Sequence, residues 1–585
     1  MKKILYFAIT AVTVLFTGCQ SFLDTEDLTH KNTSNYPKTE TDAEQVIAGI
    51  YNNLNVPNAS PASSFFFISN LASDDRLGGG GVNDLMFQAE DLLMTSTTNE
   101  YEQFWKDRYV GIFRANTAIE TLGSCTGYTS DDQKNQMIGE AYFMRAFFYY
   151  ELASEFENVP LITTSASTNV PQAAPSKTWG QIVQDLLKAI ELMPASSKPA
   201  AGHATHWAAE ALLGRAFLFY TGFYGTAGTP LTEMTLPDGT TLTKAAVTAK
   251  LKDCITSSGY SLVPDYRNLW GYTNEYTKND YSYTKGQGLK WVEDDNAVNP
   301  ESMFAIKFSK LASWSTTIGY SNGYALYFGV RGGQALANTF PFGQGWGAGP
   351  VNPGLWDDWK AAEPNDKRRA ASICNIRTEL DPEGYTKGGW VDFVQETDYL
   401  DKKISPVSCV DPDTLAATGK TQYLATFEMK MYDYKSVNFQ LSNIHDLVLI
   451  RLADVYLMYS ELAEDATYLN EVRKRAGLGA ISYSLAALQN ERRWEFANEG
   501  IRWNDMRRWH IAEGTSGALS KQIGQNIYYQ GIAKKNTQQG VGYVSRYAAT
   551  RGFFPIPEEQ ISLSNGVLKQ NAGWGISDAT YSGWK

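Results

Sequence analysis

The sequence predicts a mainly α protein, built of tetratricopeptide-like helical repeats that carry a large, irregular, loop-rich subregion. Three observations predict it. Apolar residues recur near every 3.6 positions over 42–224 and again over 448–510, as in helices that bury one face. Small residues recur where such helices would touch, at Gly139-Glu140-Ala141, Ala208-Ala209 and Gly214-Arg215-Ala216, which suits stacked helix pairs. Between the two periodic blocks, over 225–447, Gly, Pro, Asn and Tyr dominate and long periodic stretches vanish.

The elements follow in order. Residues 1–18 form a secretory signal: Lys2 and Lys3, an apolar run Ile4–Phe16 broken by two threonines, then Thr17 and Gly18. That run is too short to cross a bilayer, which takes about 20 apolar residues. Cys19 directly after Gly18 resembles the bacterial lipobox, in which the cysteine becomes the new N-terminus and carries the lipid; the alternative is an ordinary signal peptide. Residues 19–41 are polar and irregular and read as a lipid-anchored tether. Helices are then predicted from Asp42 through Leu54, from Glu100 to Leu122, from Ser130 past Leu152, from Ser176 to Pro194, and from Thr205 through Phe219. In the loop-rich subregion, 243–257 reads as a helix and Met303–Phe308 as a short strand. Helices return with Leu449, Leu452, Val455 and Tyr459, then Leu469 to Ala476 before Gly477, then Leu485 to Asn498. The tail, 511–585, is loop-rich and reads as a wrap around the body.

Composition narrows the function. Hydrophobic content of 43% and charged content of 19% fit a globular chain. A net charge of −12 argues against a nucleic-acid partner. Apart from Cys19 there are Cys125, Cys254, Cys374 and Cys409, without CxxC spacing, so they read as disulfides or as free buried thiols and not as a zinc site. Trp, Tyr and Phe make up 13% of the chain, many in Gly- and Asn-rich stretches, where exposed rings suit ligand contact.

Several constellations invite chemistry. Glu491, Glu495 and Glu499 share a helix face at i, i+4, i+8; paired carboxylates of that kind serve glycosidases, but arginines nearby favour a structural ion-pair network. His203 and His206 are three apart, yet no third ligand stands out, and no metal or cofactor is predicted. Glu293-Asp294-Asp295-Asn296 carries calcium-type oxygens without the spacing of an EF-hand. No GxSxG elbow and no P-loop is present; Gly78–Gly81 reads as a flexible loop.

At this point the residues assemble into a known pattern. Phe22-Leu23-Asp24 after Cys19, Trp105 through Ile119, Glu140–Ala146 leading to Val159-Pro160-Leu161, and Ala208–Ala216 stand in order. They are followed by Asn299–Phe304, Arg451–Leu457, Glu491–Phe496, Asp505–Trp509, Phe554–Pro557 and Gln570–Trp574. The chain thereby resembles the SusD/RagB family of Bacteroidetes outer-membrane lipoproteins along nearly its whole length. Glu157-Asn158 departs from the aromatic and glycine usual before Val159-Pro160. The resemblance implies four tetratricopeptide-like units and a surface-exposed lipoprotein facing the exterior of the outer membrane. It also implies a SusC-like, TonB-dependent transporter as partner, an oligosaccharide or in some relatives a peptide as ligand, and no catalysis.

Sugars offer flat C–H faces and a rim of hydroxyls, which aromatic rings and Asp, Asn or Arg side chains satisfy. Two segments concentrate such groups: Asp74, Asp75, Arg76 and Asn83, and Trp270, Trp291, Trp314, Tyr320, Tyr324 and Trp346. In the family the site is formed by bringing these two regions together. Trp291, Trp314 and Tyr320 are the expected stacking residues; Asp75, Arg76 and Asn83 the expected hydroxyl ligands. Trp105, Trp356 and Trp359 are assigned to packing.

Overall fold

The computed structural model describes residues 36–54, 60–96, 100–166, 168–199, 201–294, 298–315, 318–433, 438–575 and 580–583. The signal, Cys19 and most of the tether lie outside the described residues.

The first helix, α1 (Glu40–Tyr51), begins two residues before Asp42. Thr39 is its cap and Asp42 reaches back to the Thr39 N–H, so the two satisfy each other's backbone donors. Then come α2 (Glu100–Thr121), α3 (Asp131–Phe156), α4 (Pro175–Leu192) and α5 (His206–Phe223). Ser130 and Thr205 cap α3 and α5 by accepting from the Gln133 and Ala208 N–H groups. In α4, Pro175 takes the first helical position, where its missing N–H has no intrahelical partner to lose.

Each helix packs on the one before it, and α6 (Lys244–Ser257) joins α5 to α7 (Leu452–Ala463). Small residues set the spacing. A Cβ on Gly214 would stand 2.9 Å from Leu251 on α6 and 3.2 Å from Met458 on α7, so α5 reaches both neighbours only with glycine there. The frame closes with α8 (Thr467–Arg475), α9 (Leu485–Glu495) and α10 (Arg502–Arg508). Among the described residues, no helix is long and apolar enough to cross a membrane.

One boundary differs from the periodicity. Leu449 and Leu452 suggest helix from about 448, but Leu447–Arg451 is a strand, β2, antiparallel to β1 (Ser302–Ile306), with Ile450 opposite Phe304. Val448 and Ile450 are β-branched, and the facing strand offers the pairing that a local pattern cannot reveal. The loop-rich subregion is pinned to the frame here. It is pinned again by a short helix, Pro353–Ala362, whose buried Trp359 stacks on Trp494 of α9 at 5.2 Å. Cys125, Cys254, Cys374 and Cys409 are all buried free thiols.

Buried ion pairs complete the join. Arg368 donates to Glu491 at 2.7 Å and Glu495 at 2.9 Å; Arg451 reaches Glu301 and Glu499 at 2.8 Å and also Glu495; Arg475 holds Glu301 at 2.6 Å and Glu495. The glutamate row on α9 is therefore a structural network whose arginines come from distant segments. Arg492 turns instead to Asp454 and Asp505, and Arg507 to the Ser154 carbonyl. Both Glu491 and Glu495 are sealed from solvent, so neither meets a glycosidic bond as a glycosidase carboxylate must.

These charges give stability a defined pH profile. Burial alone would raise Asp454, but Arg215 and Arg492 outweigh it and hold its carboxyl down to about 2. Asp74 is held down to about 2 by Arg502 and Arg493 against the same penalty. Burial pushes Glu155 up to about 8 against the pull of Arg507, and Asp91 up to about 7. The depressed carboxylates stabilise the fold above their unfolded values of about 4, and that contribution is lost as pH falls toward 2. The raised carboxyls hold a proton more tightly folded than unfolded. Their contribution is complete below about 4 and lost as pH rises through 7 to 8. The contribution of these groups should therefore peak at about pH 4 to 5, with the melting temperature falling on both sides. A melting temperature that climbs steadily from pH 5 to 8 would contradict the assignment.

Candidate functional site

Several residues expected at the ligand are instead internal. Asp74 is held by Arg502 at 2.7 Å, Asp75 by Arg493 at 2.7 Å, and Arg76 pairs with Asp401; all three are buried, so they bind the frame and not a hydroxyl. Trp291 is 2% exposed and sits edge-on to Phe427 at 5.2 Å in a small core with Tyr272 and Val407. Tyr324 is buried edge-on to Phe66 at 5.3 Å. Trp270 is half-buried beside Tyr266 and beneath the Lys403 ammonium. Trp314 and Tyr320 are open to solvent, 56% and 37% exposed, on a loop closed by the Ser309 N–H to the Tyr320 carbonyl at 2.7 Å. Trp105 and Trp359 are core residues and Trp356 stacks on Tyr399, in keeping with their helical positions. Glu293 is raised to about 8 by burial and by Asp446 beside it, while Asp295 and Asn296 of that acidic run lie outside the described residues.

A different group comes together on the surface of the loop-rich subregion. Three segments meet through isolated backbone bridges: Arg76 with Val351, Gly79 with Ala348, and Gly81 with Phe393. They bring the exposed Asn83 and its neighbour Asp84 next to Arg331. The Arg331 guanidinium donates to Asp84 at 3.1 Å, to Asp392 at 2.6 and 3.2 Å, and to the Trp346 carbonyl at 3.0 Å. It also lies 5.9 Å from the ring centre of Trp390. Trp346 rests on Tyr327 at 4.5 Å. Trp390 is 59% exposed, the most exposed tryptophan among the described residues.

The backbone holds this indole in place. Gly333 has φ +98°, and a Cβ there would stand 2.2 Å from the Trp390 ring; at Gly332 it would stand 2.5 Å away. Any side chain would push the indole off its seat. Val391, next to Trp390 and exposed, has φ +64°, which a β-branched residue adopts only under constraint. The result is a rigid, flat apolar ring beside a guanidinium clasped by two partly exposed carboxylates. A ligand with one apolar face and a rim of hydroxyls matches both halves. Asn83 and Trp346 of this group are among the residues expected from the sequence; Asp84, Arg331, Trp390 and Asp392 are not. The usable signal was the pair of double glycines, Gly332-Gly333 and Gly388-Gly389, flanking an arginine and a tryptophan.

Comparison with known proteins agrees with this architecture. Residues 21–218 match a family model described as "Starch-binding associating with outer membrane", and residues 336–574 match one described as "SusD family". SusD-like protein P2 of Formosa agariphila is 25% identical over 555 residues, covering 88% of this chain and 92% of its own. A SusD-like protein of Bacteroides ovatus is 24% identical, covering 87% of this chain and 82% of its own. Among solved structures, a laminarin-binding SusD-like protein aligns with a TM-score of 0.66 at 25% identity, covering 92% of this chain and 100% of its own. Surface glycan-binding protein A from Bacteroides thetaiotaomicron, in complex with laminarihexaose, aligns with a TM-score of 0.65 at 19% identity, with the same coverage.

Proposed function

This chain belongs to the SusD family, and on that premise we propose that it is a lipid-anchored protein on the outer face of the outer membrane. There it binds oligosaccharide and delivers it to a SusC-like, TonB-dependent transporter. The observation that carries the binding role is the exposed Trp390 beside Arg331, Asp84, Asp392 and Trp346. The indole covers a sugar face and the charged trio bonds its hydroxyls. Relatives that bind laminarin and laminarihexaose support a glucan among the candidate ligands. The anchor rests on the lipobox-like end of the signal at Cys19. The transporter contact rests on the family and on the helical frame, where the exposed Val110, Phe113 and Leu563 line an apolar groove of about 620 Å³.

Binding without cleavage is the proposed mode of action, and it is supported by the paired carboxylates on α9 being held in ion pairs. The experiment has two arms. Purified protein is offered a glycan array with laminarin oligosaccharides and a peptide panel, with reducing ends assayed in parallel. Retention of a glycan without new reducing ends is expected; peptide retention alone, or release of shorter sugars, contradicts the reading. Membrane fractionation of Cys19→Ala should move the protein to the soluble fraction, and a variant that stays membrane-bound at wild-type level refutes the anchor.

A further inference from the structure

His203 and His206 lie three residues apart, but the fold separates them. His203 Nδ1 meets Glu140 Oε2 at 2.7 Å. His206, the first residue of α5, faces Glu210 one turn along and Asp253 on the neighbouring α6. One ligand atom from each of these three lies within 4.8 Å of the others.

The geometry points to a divalent transition-metal site, suited to zinc, formed by His206, Glu210 and Asp253. The first support is Glu210. Its side chain is 0% exposed, and neither carboxylate oxygen accepts a hydrogen bond. A buried carboxylate without hydrogen-bond donors is costly, and the Lys250 ammonium facing it at 3.3 Å, on a side chain 38% exposed, is the cation a bound metal would replace. The second support is the orientation of the imidazole. His206 Nδ1 lies 3.0 Å from the Met193 carbonyl, an acceptor, so Nδ1 carries a proton. Nε2 then faces Glu210 Oε1, 3.5 Å away, a partner that favours a proton on Nε2 against the cost of burial, and a bound metal takes that proton's place. Metal-bound imidazoles are held in this way, with the second nitrogen donating to a carbonyl.

The remaining features fit. Positions i and i+4 on α5 share one face, and α6 packs against that helix to supply Asp253. Asp253 is exposed and gives entry from solvent, and Ser257 donates to its carboxylate at 2.6 Å, which orients it. One imidazole nitrogen and two carboxylates suit zinc, whereas calcium takes oxygen ligands throughout. Three protein ligands leave one tetrahedral position to water. Lys250 Nζ, 3.3 Å from Glu210 Oε1, is the competing cation; its half-exposed side chain has room to swing into solvent.

Tag-free protein is stripped with chelator and titrated with zinc chloride alone by calorimetry, with metal content measured by mass spectrometry. About one zinc per chain is expected. Asp253→Asn and His206→Ala should each weaken uptake on the order of a hundredfold, Lys250→Met should strengthen it, and His203→Ala should leave it unchanged. Because Asp253 is exposed, Asp253→Asn keeps the fold, checked by circular dichroism. No zinc uptake by the wild type, or uptake that Asp253→Asn and His206→Ala leave intact, overturns the site.

Discussion

Glu495→Gln should destabilise the folded protein by about 3–5 kcal/mol, the usual effect of removing one partner from a buried charge pair. Glu495 is fully buried and faces Arg368, Arg451 and Arg475. Those arginines outweigh the penalty of burial and hold its carboxyl well below the usual range. Glutamine fills the same space but removes the charge, and its amide N–H groups then point at guanidinium donors. The three arginines come from the loop-rich subregion, from β2 and from α8, so the loss loosens the join between the subregion and the frame. Urea unfolding should show a lower midpoint with an unchanged slope. A loss below about 1 kcal/mol would mean that the pairs are solvated and interchangeable, as at a surface. Folded Glu495→Gln protein should keep its glycan affinity, because the side chain lies inside the network and not on the ligand platform.

Trp390→Ala should weaken glycan binding roughly tenfold or more, since covering and stacking an aromatic ring is worth about 1–3 kcal/mol. The indole is largely open before binding, so its removal takes little from the core. Melting temperature should stay within about 2 °C of wild type, as is usual for surface substitutions. The contrast with Trp291→Ala is diagnostic. Trp291 is buried against Phe427, and its loss costs stability before it touches affinity. Equal glycan affinity for wild type and Trp390→Ala would move the site away from this surface.

The helical frame was legible because its information is local. Ser130 and Thr205 announce their helices by side chains that bond three residues ahead. Gly214 was legible as a contact point, since stacked helices need small residues where they touch. The site was legible only as segments. Asp74, Asp75 and Arg76 beside a glycine loop look like exposed polar ligands. What decides their role is Arg502, Arg493 and Asp401, which stand more than 300 positions away in the chain. Trp291 lies in a Gly- and Asn-rich stretch and still packs inward, because short loops folded on one another make a core without periodicity. Trp390 is not legible as a ligand residue for the converse reason: its seat is two glycines 57 and 58 positions earlier, and no spacing rule links them. The start of α7 is not legible locally, because the apolar run of the five-residue strand β2 also fits a helical turn, and only the partner strand β1 separates the two.

The most direct measurement is a crystal structure of the protein with the oligosaccharide retained from the glycan array. A sugar ring is expected against the Trp390 indole at van der Waals distance, roughly 4 Å. Hydroxyls are expected within about 3 Å of Arg331, Asp84 or Asp392. A sugar bound only at the Trp314–Tyr320 loop, or in the groove along α2, would contradict this placement.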